Sequence, residues 1–376
     1  MISPLVALDL GSTKIACAVG LPHERATGVE LLGSSVAVSG SSEGWWSDPL
    51  KLGRAIDHAL EASQVRDTLQ RTVVAITHAA LVSERVRVSI SLGEEPMTIR
   101  ARDLERLQAV ALDRVLAIDR EPLLVERLSC SGNGFDGVRD PRGLSASRLA
   151  ATFHVLTMPV SLRRVIEQAV ESAGLDVERI TCILPAALAS HPDRAPERGR
   201  TLLIDVGGMT TSLGLFIDGV LQLVQVLPWG GMPLATEIAT TLQVTMEQAT
   251  TWSLEGVACR KPEIRPLLER QWEQLQQASE AILKNQPRPE SVLLSGRGSL
   301  IDGFAEWVER TLHVPVSLCR HPRVSRLGDV GKQLALSPVI GLLELMTRTS
   351  DALPARSPHF FNRLIDQTRT ILTEYF

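Results

Sequence analysis

The sequence predicts an α/β protein built from two similar units. Three observations carry this reading. The chain has 376 residues, too many for one compact core and enough for two or more domains. Apolar runs of strand length alternate with amphipathic helical segments along most of it. One pattern also occurs twice: a strand ending in Asp, a Gly turn, hydroxyl residues, then a second strand. It reads "LDLGSTKIACAVG" near the start and "IDVGGMTTSLGLF" in the middle.

Each element follows in order. "PLVALDLGSTKIACAVG" predicts a β-hairpin, and "VELLGSSVAV" a third strand. "DPLKLGRAIDHALEASQ" predicts a helix, with Asp48-Pro49 as its start signal and Leu50, Leu52, Ile56 and Leu60 on one face. "TVVAIT" reads as a buried strand. From about Leu81 to Leu156 the strands "VRVSIS", "LLVERLS" and "LAATFHVLTM" surround a charged helix, "ARDLERLQAVALDRVLAI", which reads as a small α+β insertion. "SLRRVIEQAVESAGL" is an amphipathic helix stopped at Gly174, and "RITCILPAALASH" a strand running into a helix. The second unit adds its own hairpin and third strand. Residues from about Trp229 to Pro287 read as mostly helical, "SVLLSGRGSLIDGFAEWVERTL" as strand, Gly loop and helix, "VPVSLCR" as a strand, and "SPVIGLLELM" as a closing helix.

Composition excludes several classes. A net charge of −4 and a pI near 6.1 leave no electrostatic footprint for nucleic acid, and none is expected as a partner. Cys17, Cys130, Cys182, Cys259 and Cys319 lie far apart without metal-ligand spacing, which points to a reducing compartment. Asp9 and Lys14 interrupt the apolar start, so no signal peptide is expected, and no run reaches membrane-span length. His154 reads as a satisfied strand histidine. Trp45-Trp46 reads as an edge packed on the insertion, with a partner contact as the alternative. The sequence offers no nucleophile–base pair, and no catalytic residue is assigned.

The glycine turns carry the chemistry. In "DLGSTK", a turn at Gly11 lets the N–H groups of Ser12, Thr13 and Lys14 face one concavity, a nest suited to anions. Lys14 adds a point charge for phosphate, and Asp9 suits a hydrated Mg²⁺. "DVGGMT", Asp205 to Thr210, repeats this logic. "SGRGSLIDGF" places Gly296 and Gly298 after a strand, where backbone can pass close to an adenosine. Any one of these is also simply a hairpin or a loop. Their conjunction and order point to a nucleotide cleft.

At these residues the chain resembles the actin-like ATPase superfamily and, within it, the bacterial cell-division FtsA family. The resemblance covers about Leu5 to Met346 and includes "NGFDGVRDPRGLSASRLAATFHVLT", similar to the segment that closes the family's insert. It implies an actin-like ATPase fold of two RNase H-like domains around a nucleotide cleft, an FtsA-type, SHS2-like α+β insert and a C-terminal amphipathic helix. The implied division is a first subdomain at 1–80, continued by 159–196 and 338–346, with the insert at 81–158. The second subdomain is 197–228, continued by 288–337, with a helical subdomain at 229–287, a linker at 347–358 and the amphipathic helix at 359–376. The implied ligands are ATP and Mg²⁺. They would be held by Asp9, Gly11, Ser12, Thr13, Lys14, Asp205, Gly207, Gly208, Thr210, Thr211, Glu247, Gly296, Arg297 and Gly298, with Asp9 and Asp205 reaching the metal through water. The implied partners are the FtsZ C-terminal peptide, further copies of the chain in a filament, other division proteins and the membrane surface. The implied location is the cytoplasmic face of the bacterial inner membrane at the septum.

The chain departs from the family pattern at several points. Met209 stands where Gly is usual, Ser212 where Asp is usual, Thr250 where Lys is usual, and Arg297 where a middle Gly is usual. Leu184 occupies the position at which chaperone-type relatives carry a water-polarising Glu. Hydrolysis is therefore expected to be slow or absent. A PilM-like scaffold of pilus or secretion assembly is the alternative reading. A small-molecule kinase would need an acidic base that the sequence does not offer.

Residues 359–376 place Phe360, Phe361, Leu364, Ile365, Ile371, Leu372, Tyr375 and Phe376 on one helical stripe. Arg363 and Arg369 balance Asp366 and Glu374, so anionic lipid adds little to the attraction. The expectation is an in-plane membrane helix, with docking on the protein's own body or in a partner's groove as alternatives.

Overall fold

The computed structural model of the chain describes residues 4–23, 28–39, 48–65, 71–191, 199–257 and 260–348. Trp45-Trp46, Cys259 and the stripe from Phe360 to Phe376 lie outside the described residues.

Two five-stranded sheets repeat one topology. In the first, β1 (Leu5–Leu10), β2 (Lys14–Pro22) and β3 (Val29–Val38) form an antiparallel meander. β4 (Arg71–Ile76) then pairs parallel to β1, and β11 (Asp176–Cys182) parallel to β4. The second sheet does the same with β12 (Arg200–Val206), β13 (Thr211–Ile217), β14 (Val220–Leu227), β15 (Ser291–Ser295) and β16 (Val316–Leu318). Even the bulges correspond. The register shifts at Val19/Gly20 in one meander and at Leu215/Phe216 in the other, equally far past the two turns.

The helices lie where apolar spacing puts them. α1 (Pro49–Ala62) starts at Asp48, whose carboxylate accepts from Lys51 N–H at 2.9 Å, and buries Leu52, Ile56 and Leu60, whereas Leu50, expected on the same face, lies exposed in the first turn. α3 (Val160–Ser172) packs beside it. α4 (Ile183–Ala189) packs on α9 (Val330–Arg348). The second half carries α5 (Gly231–Leu242), α6 (Met246–Leu254), α7 (Arg265–Leu283) and α8 (Phe304–Leu312). The closing helix starts earlier than "SPVIGLLELM" suggests and carries Pro338 inside it. A proline there marks a boundary in sequence terms, but tertiary packing of Leu336, Val339, Ile340 and Leu343 holds the helix through it.

Between β4 and α3 sits the insertion. β5 (Val82–Ser91), β10 (Arg148–Pro159), β7 (Arg120–Gly132) and β8 (Phe135–Val138) form one sheet under α2 (Ala101–Val115). A two-residue pair, β6 (Met97–Thr98) with β9 (Ser145–Ala146), closes its rim. It has its own core around Leu104, Leu107, Phe153 and Val155. The short strands β6, β8 and β9 were not legible from periodicity.

The insertion is fastened to the second half. His154, fully buried, meets the Leu221 carbonyl through Nδ1 at 3.0 Å and Ser83 Oγ through Nε2 at 2.9 Å. Ser83 Oγ in turn accepts from Val224 N–H at 3.0 Å. Burial pushes the His154 pKa down to about 4, so the ring is neutral. This is the structural histidine that the sequence suggests.

Candidate functional site

Both hairpins close in the same way. Gly11 N–H donates to the Lys14 carbonyl at 3.0 Å, and Gly207 N–H to the Thr210 carbonyl at 2.9 Å. Behind the first turn, Ser39 donates its Oγ to Ser12 O at 2.6 Å and its N–H to Thr13 O at 3.2 Å. Behind the second, the Gly207 and Gly208 carbonyls accept from Gly231 and Met232 at the start of α5, at 3.0 and 2.8 Å. The turns then meet one another. Met209 N–H donates to Ser12 Oγ at 3.1 Å, and a Cβ on Gly208 would lie 2.4 Å from Thr13 Cγ2. Glycine is required there by the close approach of two chain segments.

A third loop completes the arrangement. β15 is followed by Gly296 at φ +77°, a left-handed conformation, and then by a short 3₁₀ turn, Arg297–Leu300. A Cβ on Gly296 would sit 2.3 Å from the Val206 carbonyl and 3.0 Å from Asp205 Oδ1. The Ser299 hydroxyl donates back to the Gly296 carbonyl at 2.7 Å.

These three segments line one cavity of about 420 Å³, within the size range of small-molecule sites. It brings together Asp9, Gly11, Ser12, Thr13, Lys14, Asp205, Gly207, Gly208, Thr210, Gly296, Arg297 and Gly298. Two residues of the expected set lie elsewhere. Thr211 is buried at the start of β13, its hydroxyl donating to the Trp229 carbonyl at 3.0 Å. Glu247 is exposed in the first turn of α6, which lines the cavity with Thr250, Ser253 and Leu254 instead. Sequence reasoning also missed Thr77, His78 and Ala79, which follow β4, and Leu334 and Pro338 of α9. Strand register could have found the first group, since β4 is the parallel neighbour of β1.

Electrostatics separate the two aspartates. Lys14 Nζ donates to Asp9 Oδ2 at 3.2 Å and to the Ala335 carbonyl at 3.4 Å. Asp205 opens partly onto the cavity but is otherwise ringed by protein. That desolvation, with Asp9 nearby, pushes its pKa up to about 6, while the Ser295 hydroxyl and Lys14 pull the other way. A carboxylate in this situation suits a cation, and turns rich in backbone N–H suit a polyphosphate. Leu184 is fully buried and Ser212 lies within the second hairpin, so neither side chain supplies an acid to the cavity. Among the described residues, no cluster of His, Cys, Asp and Glu could hold a metal ion on its own. A metal held through water and phosphate needs no such cluster.

Comparison with known proteins agrees with this architecture. The sequence model "Cell division protein FtsA" matches residues 202–330, and "SHS2 domain inserted in FTSA" matches residues 79–157. Together they cover more than half of the chain. The cell division protein FtsA of Pseudomonas aeruginosa is 26% identical, with 90% of this chain and 88% of that protein aligned. FtsA of Escherichia coli K12 is 23% identical over 90% and 89%. Among solved structures, a PilM–PilN type IV pilus biogenesis complex shares the fold at TM-score 0.69 and 18% identity, covering 92% of this chain and 99% of that one. MreB5 of Spiroplasma citri bound to AMPPNP shares it at TM-score 0.50 and 11% identity, covering 92% and 96%. The chain thus has an actin-like ATPase fold with an SHS2 insert, and it belongs to the FtsA family of cell-division proteins.

Proposed function

We propose that the cavity binds ATP with Mg²⁺, and that nucleotide acts here as a structural ligand between two halves. One observation carries this reading. Two hairpin turns of the same geometry face each other at one cavity, each preceded by an aspartate, with a close-approach glycine loop beside them. Gly11 to Lys14 and Gly207 to Thr210 would hold the phosphates, Gly296 to Gly298 the adenosine, and Asp9 and Asp205 the metal through water. The metal's contribution is charge neutralisation at the phosphates. Hydrolysis is expected well below the median enzyme turnover of roughly 10 s⁻¹, because Leu184 offers no group to orient water. The test is thermal stabilisation by Mg-ATP. Asp9→Ala, Lys14→Ala or Gly207→Val should each remove it, and no stabilisation of the unmutated chain at millimolar Mg-ATP would overturn the reading.

In the cell we read the protein as a filament-forming tether at the division septum. It would bind the FtsZ C-terminal peptide and other division proteins and attach to the cytoplasmic face of the inner membrane. The FtsA family membership supports this, and so does the apolar stripe at 359–376. Among the described residues, no helix is long and apolar enough to cross a membrane. The division into subdomains 1–80 with 159–196 and 338–346, 81–158, 197–228 with 288–337, and 229–287 belongs to the same reading. The PilM-like alternative draws on fold likeness alone. Because the stripe's charges cancel, attachment should come from many tails on one polymer rather than from salt-sensitive attraction. Vesicle flotation tests this. The full chain should float, and chains truncated after Pro358 or carrying Ile371→Glu should not. Equal flotation of all three would sink the membrane reading.

A further inference from the structure

The repeat between the halves draws attention to the loop after β4. In the second half, β12 and β15 run parallel with Asp205 opposite Ser295, which sets the Gly296 loop level with the second turn. In the first half, β1 and β4 run parallel with Asp9 opposite Ala75. Counting forward equally, Ile76 corresponds to Gly296, and Thr77, His78 and Ala79 correspond to Arg297, Gly298 and Ser299 of the loop that follows Ser295. Both loops line the same cavity. In the Mg-ATP reading above, with the base at the second half's loop and the phosphates at the paired turns, the terminal phosphate would lie toward the first half's loop across this shared cavity.

His78 is the titratable side chain in that loop. Its Nδ1 accepts from Ala80 N–H at 3.0 Å, which places the proton of the neutral ring on Nε2. Burial lowers its pKa and so favours that neutral ring. We propose that His78 distinguishes a nucleoside triphosphate from a diphosphate by donating its Nε2–H to an oxygen of the terminal phosphate. This rests on the Mg-ATP reading above. The imidazole adds one directional contact that a diphosphate lacks, while Lys14 and the metal meet the bulk of the charge. A donor on the phosphate, with no acid at Leu184 to hold water, makes the residue a reader of nucleotide state rather than a hydrolytic group.

The test uses the full chain, His78→Ala and His78→Gln, each titrated with Mg-ATP, Mg-ADP and a β,γ-imido ATP analogue by thermal shift. The readout is each variant's ratio of triphosphate to diphosphate affinity, which divides out any shared change in ligand-free melting temperature. In His78→Ala, triphosphate affinity should fall about tenfold or more, as for a lost hydrogen bond to a charged group, with ADP affinity unchanged. His78→Gln, which keeps an N–H donor, should recover most of it. Equal losses for ATP and ADP, or no loss for either, would overturn the role of His78 while leaving nucleotide binding standing. An unmutated chain stabilised by none of the three ligands would overturn that role and the underlying reading together.

Discussion

The two hairpin turns share a backbone but not an electrostatic solution. Asp9 has Lys14 beside it, at the last position of its turn. The equivalent position of the second turn is Thr210, and Asp205 carries its charge at a cost that its raised pKa records. A second asymmetry lies at the far edge of the sheets. β14 receives the insertion through His154 and Ser83, whereas β3 leaves Val38 79% exposed. Backbone geometry is therefore what the repeat keeps. Charge and edge contacts are where the halves specialise.

The largest expected effect tests how strictly the second half needs its glycine loop. Gly296→Val combines a left-handed φ with a Cβ 2.3 Å from the Val206 carbonyl, so it should cost about 3 kcal/mol or more. The first half's equivalent of Gly296 is Ile76, and neither it nor Thr77 to Ala79 is left-handed, so Thr77→Val should change stability little. Urea midpoints of the two variants measure the contrast. Equal losses would mean that both loops are held by packing and not by backbone conformation.

Next come two buried groups that titrate in opposite senses. The Asp205 pKa rises from 3.8 to about 6, so its contribution favours the fold below 3.8 and is lost as pH climbs through about 6. The His154 pKa falls from 6.5 to about 4, so its contribution is present above 6.5 and is lost as pH drops through about 4. Each is worth up to about 3 kcal/mol. They nearly cancel, and the unmutated chain should show a shallow stability profile from pH 4 to 6.5. Asp205→Asn should stabilise the ligand-free protein at pH 7 and steepen its loss of stability in acid. His154→Gln should destabilise it at pH 7, with stability then improving as pH falls. Denaturant unfolding at several pH values separates them, and parallel profiles for both variants would show that neither group titrates as described.

The fold was legible because it is written twice. The repeated Asp-x-Gly turns located both hairpins, and Asp48-Pro49 set the start of α1. The cavity lining was legible where a neighbouring segment leaves little or no room for a Cβ, at Gly11, Gly207, Gly208 and Gly296. It was not legible at Thr77 and His78, because their placement depends on β4 pairing with β1 across more than sixty residues of chain. Nor was the displacement of Glu247 legible, since which helix face meets the cavity is decided by how α6 packs on α5. The clasp of His154 on β14 pairs an inserted strand with a distant one, and no local pattern marks such a contact.

The smallest effect is the most direct test of the asymmetry. If the turns are geometrically equivalent, Thr210→Lys should give Asp205 the partner that Asp9 has, because Lys14 reaches Asp9 from the same position at 3.2 Å. An ion pair in this partly buried setting should stabilise the ligand-free chain by about 1 kcal/mol at pH 7. It should also lower the Asp205 pKa toward the ordinary carboxylate range, removing that residue's share of the pH dependence between 4 and 6. The same ammonium would compete with the cation that the Mg-ATP reading assigns to Asp205, so Mg²⁺ should add less to nucleotide-dependent stabilisation in the variant. Unfolding at pH 5 and pH 7, with and without Mg²⁺, measures all three. A variant with unchanged stability and unchanged Mg²⁺ response would show that the two turns aim this side chain differently, and that their likeness ends at the backbone.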